Sequence, residues 1–145
     1  MTDRCIFCRI VSGAEEASRV YEDDAVVAFL DSLPINPGHT LIVPRRHSTY
    51  LADLDRGDGG RMFEAARKLA AAVRRSGLRC EAVNLLLNDG AEAGQRVFHA
   101  HLHVIPRYVG DNARLRRTEG PVPSREELEE VAAQIRQALD QAADA

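Results

Sequence analysis

The stretch VFHAHLHVIPR, residues 97–107, decides the fold. His99, His101 and His103 occupy every second position, with Ala100 and Leu102 between them and Phe98 and Val104 at either side. Period-2 alternation is the mark of a half-buried strand, in which residues i, i+2 and i+4 share one face, about 6.5–7 Å apart. One face is apolar and packs on a core. The other carries three imidazoles, where Thr, Lys or Glu would serve a merely solvated face equally well. Three of the chain's five histidines lie within these five residues. Histidine titrates nearest neutral pH and is the commonest metal ligand. The residues alone leave a metal site and an acid–base or nucleophilic site open.

The neighbouring segments supply the rest of a sheet. The turn from Asn88 to Arg96 contains Gly90 and Gly94, and its exposed N–H groups can cradle a phosphate. Before it, CEAVNLLLN (80–88) reads as a strand, so residues 82–88 and 97–107 form a hairpin. Upstream, Arg19–Glu22 and Ala25–Leu30 read as two strands around Asp23 and Asp24, and HTLIVP (39–44) as a third. LPINPGHT (33–40) is a loop. Residues 57–77 predict a helix with Met62, Phe63, Ala66, Leu69, Ala70 and Val73 on one face and Gly77 beyond its end. PSREELEEVAAQIRQAL (123–139) predicts a second, with a capping box of Ser124 and Glu127 and a stripe of Leu128, Val131, Ile135 and Leu139. The order predicts an α+β domain with one mainly antiparallel sheet.

With 145 residues the expectation is a single domain, 1–110 forming its core and 111–145 a loop and C-terminal helix. A net charge of −3 provides no broad basic surface, so neither nucleic acid nor a membrane is an expected partner. No apolar run approaches the ~20 residues of a membrane span. The first residues lack a signal-peptide pattern, which makes the cytoplasm the expected location. Three cysteines argue against a disulfide framework. Cys5 and Cys8, spaced C-x-x-C, have the spacing of half a zinc site; small buried residues of a first turn are the plainer reading. Cys80 is expected to be simply buried. Arg114, Arg116 and Arg117 read as a solvated charged loop.

His99-Ala-His101-Leu-His103-Val-Ile resembles the histidine triad motif, His-φ-His-φ-His-φ-φ, where φ is apolar. The resemblance extends to GQRVFHAHLHVIPR, the upstream NDG, AFLDSLPINPGHTLIVPRRH and the N-terminal CIFCRI, and so runs from about Cys5 to Arg107. It is nearest the branch of small nucleotide-binding hydrolases. It implies a histidine triad fold: a mainly antiparallel five-stranded sheet and two main helices, with the sheet continued across a homodimer. It also implies cleavage at the α-phosphate of a purine nucleotide conjugate through a nucleotidyl-histidine intermediate, by a nucleoside phosphoramidase or a dinucleoside polyphosphate hydrolase.

Carried over residue by residue, the resemblance makes His101 the nucleophile and puts His103 at the α-phosphate and His39 beside the phosphate or leaving group. A neutral imidazole attacks without prior deprotonation, and its other nitrogen is expected to donate to a backbone carbonyl. Protonated, His39 and His103 would stabilise phosphoryl charge or protonate the leaving group. Asp31 matches the residue that binds the ribose hydroxyls. Asn88 matches a polar contact to leaving group or ribose, and Gly94, Gln95 and Val97 match the phosphate-contacting turn. Arg96 departs from the serine that often stands there in phosphoramidases, which leaves the leaving group open. Bacterial members with the C-x-x-C start often hold a structural zinc, with ligands corresponding to Cys5, Cys8, His47 and His99. Other readings are a zinc-stabilised nucleotide-binding or interaction module with incidental hydrolysis, a metalloenzyme built on His99, His101 and His103, and a nucleotidyltransferase.

Overall fold

The computed structural model describes residues 2–113, 115 and 120–143. The helices are α1 (Ile6–Ser12), α2 (Asp58–Arg75) and α3 (Arg125–Ala143). The strands are β1 (Arg19–Glu22), β2 (Val26–Leu30), β3 (Thr40–Pro44), β4 (Ala82–Leu86) and β5 (Leu102–Arg107). The strands form one sheet in the order β1-β2-β3-β5-β4, and every neighbouring pair is antiparallel.

Period-2 alternation sorts the central strands into two cores. Val26, Ala28 and Leu30 of β2, Ile42 of β3 and Val104 of β5 pack with the buried stripes of α2 and α3. Val27, Phe29, Leu41 and Val43 point the other way and pack with Phe7 and Ile10 of α1. Both faces of β2 and β3 are thus covered, which is why their sequences are continuous apolar runs. The α3 capping box forms as expected: Glu127 N–H donates to Ser124 Oγ and Ser124 N–H to the Glu127 carboxylate.

Four expectations need correction. The fifth strand begins at Leu102, not Val97, because residues 97–101 are pinned elsewhere: Ala100 N–H donates to the Ser48 carbonyl at 2.7 Å. The fourth strand is confined to Ala82–Leu86. A third helix, α1, stands over CIFCRI; at seven residues it is too short for helical periodicity to be read. Phe63, assigned to the buried face of α2, is 62% exposed. It lies one residue, hence about 100°, from Met62, and the buried stripe runs through Met62, Ala65, Ala66, Leu69, Ala72 and Val73. Cys80 is half-buried, its thiol donating to the Ala82 carbonyl. Arg114, Arg116 and Arg117 lie outside the described residues.

Candidate functional site

The histidines belong to two clusters, and local hydrogen bonds set the tautomer in each. The assignments rest on the donors and acceptors that face each ring nitrogen.

The first cluster joins α1 to the segment before β5. His99 is fully buried, and its Nε2–H donates to the Pro44 carbonyl at 2.8 Å. That leaves the Nδ1 lone pair facing Cys5 Sγ and Cys8 Sγ, each at 3.5 Å. His47 Nδ1 lies 3.2 Å from Cys8 Sγ. The four donor atoms are all within 4.8 Å of one another. A tetrahedral ion with metal–sulfur bonds near 2.3 Å and metal–nitrogen bonds near 2.0–2.1 Å separates S and N ligands by about 3.5 Å. The observed spacings fit, and so does the chemistry of the donor set. The Pro44 bond orients the His99 ring from behind, as such ligands require. Burial, then the neighbouring Cys5, pushes the Cys8 thiol up to about 11. A bound cation reverses that tendency by taking the thiolate as ligand.

The second cluster lines a cavity of about 1460 Å³. His101 Nδ1–H donates to the His99 carbonyl at 2.7 Å, which leaves Nε2 unprotonated. The His101 ring meets Phe7 edge-on, with centroids 5.0 Å apart. Burial holds the His101 pKa below the usual histidine range, partly opposed by the bond to His99. At pH 7 it is a neutral imidazole with a lone pair at Nε2. Phe7, between the two cysteines, went unrecognised as a site residue; its position in CIFC was the only signal available.

His39 and His103 form a directional pair. Ile35 N–H donates to His39 Nδ1 at 3.0 Å, so His39 carries its proton on Nε2. That proton points to His103 Nδ1, 2.9 Å away. His103 therefore carries its own proton on Nε2, a buried atom with no hydrogen-bond partner among the described residues. Burial, followed by repulsion from other imidazoles, pushes both rings down to about 4. The pair is thus neutral at pH 7. What it offers is a neutral N–H donor at His103.

Asp31, His39 and His103 also bring three possible ligand atoms together. The tautomers argue against a cation there. Coordination at His39 Nε2 would move its proton to Nδ1, against Ile35 N–H. The His99 cluster meets no such conflict.

The β2–β3 connection places these groups. Asp31 N–H donates to the His39 carbonyl, closing the loop, and Asp31 Oδ1 accepts Leu33 N–H at 2.9 Å. Asp31 Oδ2 remains 3.6 Å from His39 Nε2 at the cavity wall. Gly38 turns the chain into His39 at φ +93°; a Cβ there would stand 3.0 Å from Leu78 Cδ1 and 3.2 Å from Pro106 Cγ. Leu41 and Leu86 flank His103 in the ladder.

The turn before the histidines is braced by one side chain. Gln95 is buried; its Oε1 accepts Gly90 N–H at 2.7 Å, and its Nε2 donates to the Thr49 and Val97 carbonyls. The Gly94 and Gln95 N–H groups are spent on the Ala91 and Gly90 carbonyls. Gln95 thus braces the turn through its side chain. Asn88, Gly94, Arg96 and Val97 line the cavity. Gly94 is left-handed at φ +96°, and a Cβ on it would stand 3.6 Å from Asn88 Nδ2.

Residues 12–110 match the HIT domain family model. An uncharacterised HIT-like protein of Saccharolobus solfataricus is 43% identical over 107 residues, covering 74% of this chain and 76% of that one. Among solved structures, a zinc-bound histidine triad family protein from Mycobacterium smegmatis is 40% identical, with a TM-score of 0.88 over 99% of both chains. A hypothetical histidine triad nucleotide-binding protein from Sulfolobus tokodaii is 29% identical, with a TM-score of 0.83, covering 94% of this chain and 93% of that one. Sheet order, histidine placement and these similarities agree: the chain belongs to the histidine triad, or HIT, family.

Proposed function

We propose that the protein is a nucleotide hydrolase that cleaves purine nucleotide conjugates at the α-phosphate through a nucleotidyl-histidine intermediate. The observation that carries this reading is the 2.7 Å bond from His101 Nδ1–H to the His99 carbonyl. It leaves Nε2 as a lone-pair nucleophile on a ring that lines the cavity. In the first step the Nε2 lone pair forms a bond to the α-phosphorus, and the bond to the leaving group breaks with its electron pair. In the second, a water oxygen bonds to phosphorus, the P–N bond breaks, and the pair returns to imidazole while the water proton passes to solvent. His103 Nε2–H is a fitting donor to a phosphoryl oxygen, and His39 holds it in that tautomer.

Asp31 is the acceptor for ribose hydroxyls, and Asn88, Gly94, Arg96 and Val97 form the phosphate-side wall. Zinc is the ion that suits Cys5, Cys8, His47 and His99. With four protein ligands it is structural, tying α1 to the segment that carries His101. The working unit is a homodimer: β4 is a sheet edge with Leu85 42% exposed, and Phe63 projects from α2. Among the described residues no helix is long and apolar enough to cross a membrane, and the free thiols suit a reducing, cytoplasmic setting.

The test is His101→Ala with adenosine 5′-phosphoramidate and diadenosine tetraphosphate as substrates and AMP as ligand. The expected variant binds AMP and loses turnover by at least about a thousandfold, as removal of a nucleophile does. Turnover within tenfold of the parent contradicts the reading.

A further inference from the structure

The cavity wall carries two cations, and their surroundings differ. Arg125 is engaged: its guanidinium donates to Ser18 Oγ at 3.1 Å and lies 3.6 Å from a Glu16 carboxylate oxygen. Arg96 has neither a hydrogen bond nor an ion pair among the described residues. The acids on the same wall are Asp31, Glu15 and Glu16. Asp31 is occupied with Leu33 and Glu15 with Arg9. The histidines at the reacting end are neutral near pH 7. Arg96 is therefore the one unpaired full positive charge that the described wall offers to a phosphate chain.

Its backbone is also held in place. Gln95, the residue before it, is fixed at Gly90 and Thr49 and clasps the carbonyl of Val97, the residue after it. An arginine on a fixed turn is suited to bidentate recognition of phosphate oxygens. The cavity, at about 1460 Å³, exceeds the ~300–1000 Å³ typical of a single small ligand. It has room for more than one nucleotide moiety.

We propose that Arg96 forms the leaving-group subsite and selects conjugates whose leaving group is a phosphate chain over those whose leaving group is an amine. This rests on the hydrolase reading above. In the selected reaction the His101 Nε2–P bond forms as the bond from the α-phosphorus to the bridging oxygen breaks. The leaving phosphate departs as an oxyanion with the electron pair, its charge met by the guanidinium, and no proton is needed at departure. An uncharged amine gains nothing from that cation.

The experiment compares wild type, Arg96→Ala and Arg96→Lys. It measures the ratio of kcat/KM for diadenosine tetraphosphate to that for adenosine 5′-phosphoramidate, and the affinity for inorganic tripolyphosphate by calorimetry. Loss of a charge-assisted contact predicts that Arg96→Ala lowers the ratio by roughly 10- to 100-fold and weakens tripolyphosphate by a similar factor. Arg96→Lys restores part of both. A ratio that moves less than threefold overturns the assignment. If the wild type turns over neither substrate, the hydrolase reading fails. The tripolyphosphate arm still decides the subsite: lost affinity in Arg96→Ala upholds an anion site, and unchanged affinity overturns it.

Discussion

Replacing His99 with alanine separates the two jobs that meet at this residue. The imidazole is fully buried, stacks edge-on with His47 and Phe7, and bonds Pro44. Deleting a buried ring of this size costs about 3–5 kcal/mol through lost packing and the void it leaves. The abandoned Pro44 carbonyl adds about 1 kcal/mol. For a domain of this length each kcal/mol lowers Tm by roughly 2–4 °C, so the variant should melt roughly 10–20 °C below the parent. It should also lose the metal ion proposed for the Cys5, Cys8, His47 and His99 cluster. The carbonyl that accepts from His101 belongs to the backbone and survives the substitution. Well below its Tm, the variant should keep kcat within about tenfold of the parent. The assays are thermal denaturation, metal content by mass spectrometry, and single-turnover hydrolysis on one preparation. A variant that keeps its metal and its Tm but loses turnover would refute the division of roles.

Other perturbations follow from the same geometry. His39 and His103 have folded pKa values near 4, below the ordinary 6.5, so folding favours their neutral forms. Their contribution to stability is intact above pH 6.5 and is lost as pH falls towards 4, by up to about 1.4 kcal/mol per pH unit for each ring. Urea unfolding between pH 7.5 and 4.5 should show this decline, and a His39→Gln, His103→Gln double variant should make it shallower, the buried His101 keeping part of it. Gly38→Ala places a Cβ against Leu78 and Pro106 at positive φ; urea unfolding should show a loss of about 1–3 kcal/mol. Gln95→Leu removes three hydrogen bonds that brace the turn; it should destabilise by about 2–4 kcal/mol and raise KM more than it lowers kcat.

The helices over 58–75 and 125–143, the central strands and their two-sided burial were legible because long periodic runs carry their own signal. The α1 helix was not: seven residues give barely two turns, and its Gly13 cap follows an unremarkable serine. The alternation of VFHAHLHVIPR held from Leu102 onward and failed before it, because the Ser48 carbonyl and the His99 cluster capture the chain there. The candidate histidines and cysteines could be named from their spacing and family resemblance. Their protonation could not, since it depends on Ile35 N–H, the Pro44 carbonyl and the depth of burial, none of which leaves a trace in residue type. Gln95 shows the same limit: in sequence it is part of a glycine turn, and only the fold reveals three backbone partners.

The central claim is that His101 Nε2 becomes covalently bonded to the α-phosphorus. Rapid mixing with diadenosine tetraphosphate, an alkaline quench that spares the acid-labile P–N bond, and peptide mass spectrometry test it most directly. The account predicts an adenylyl group on His101 within the first turnover and none in His101→Ala. Hydrolysis that proceeds without any adduct on residue 101, or with the adduct on another residue, would contradict it.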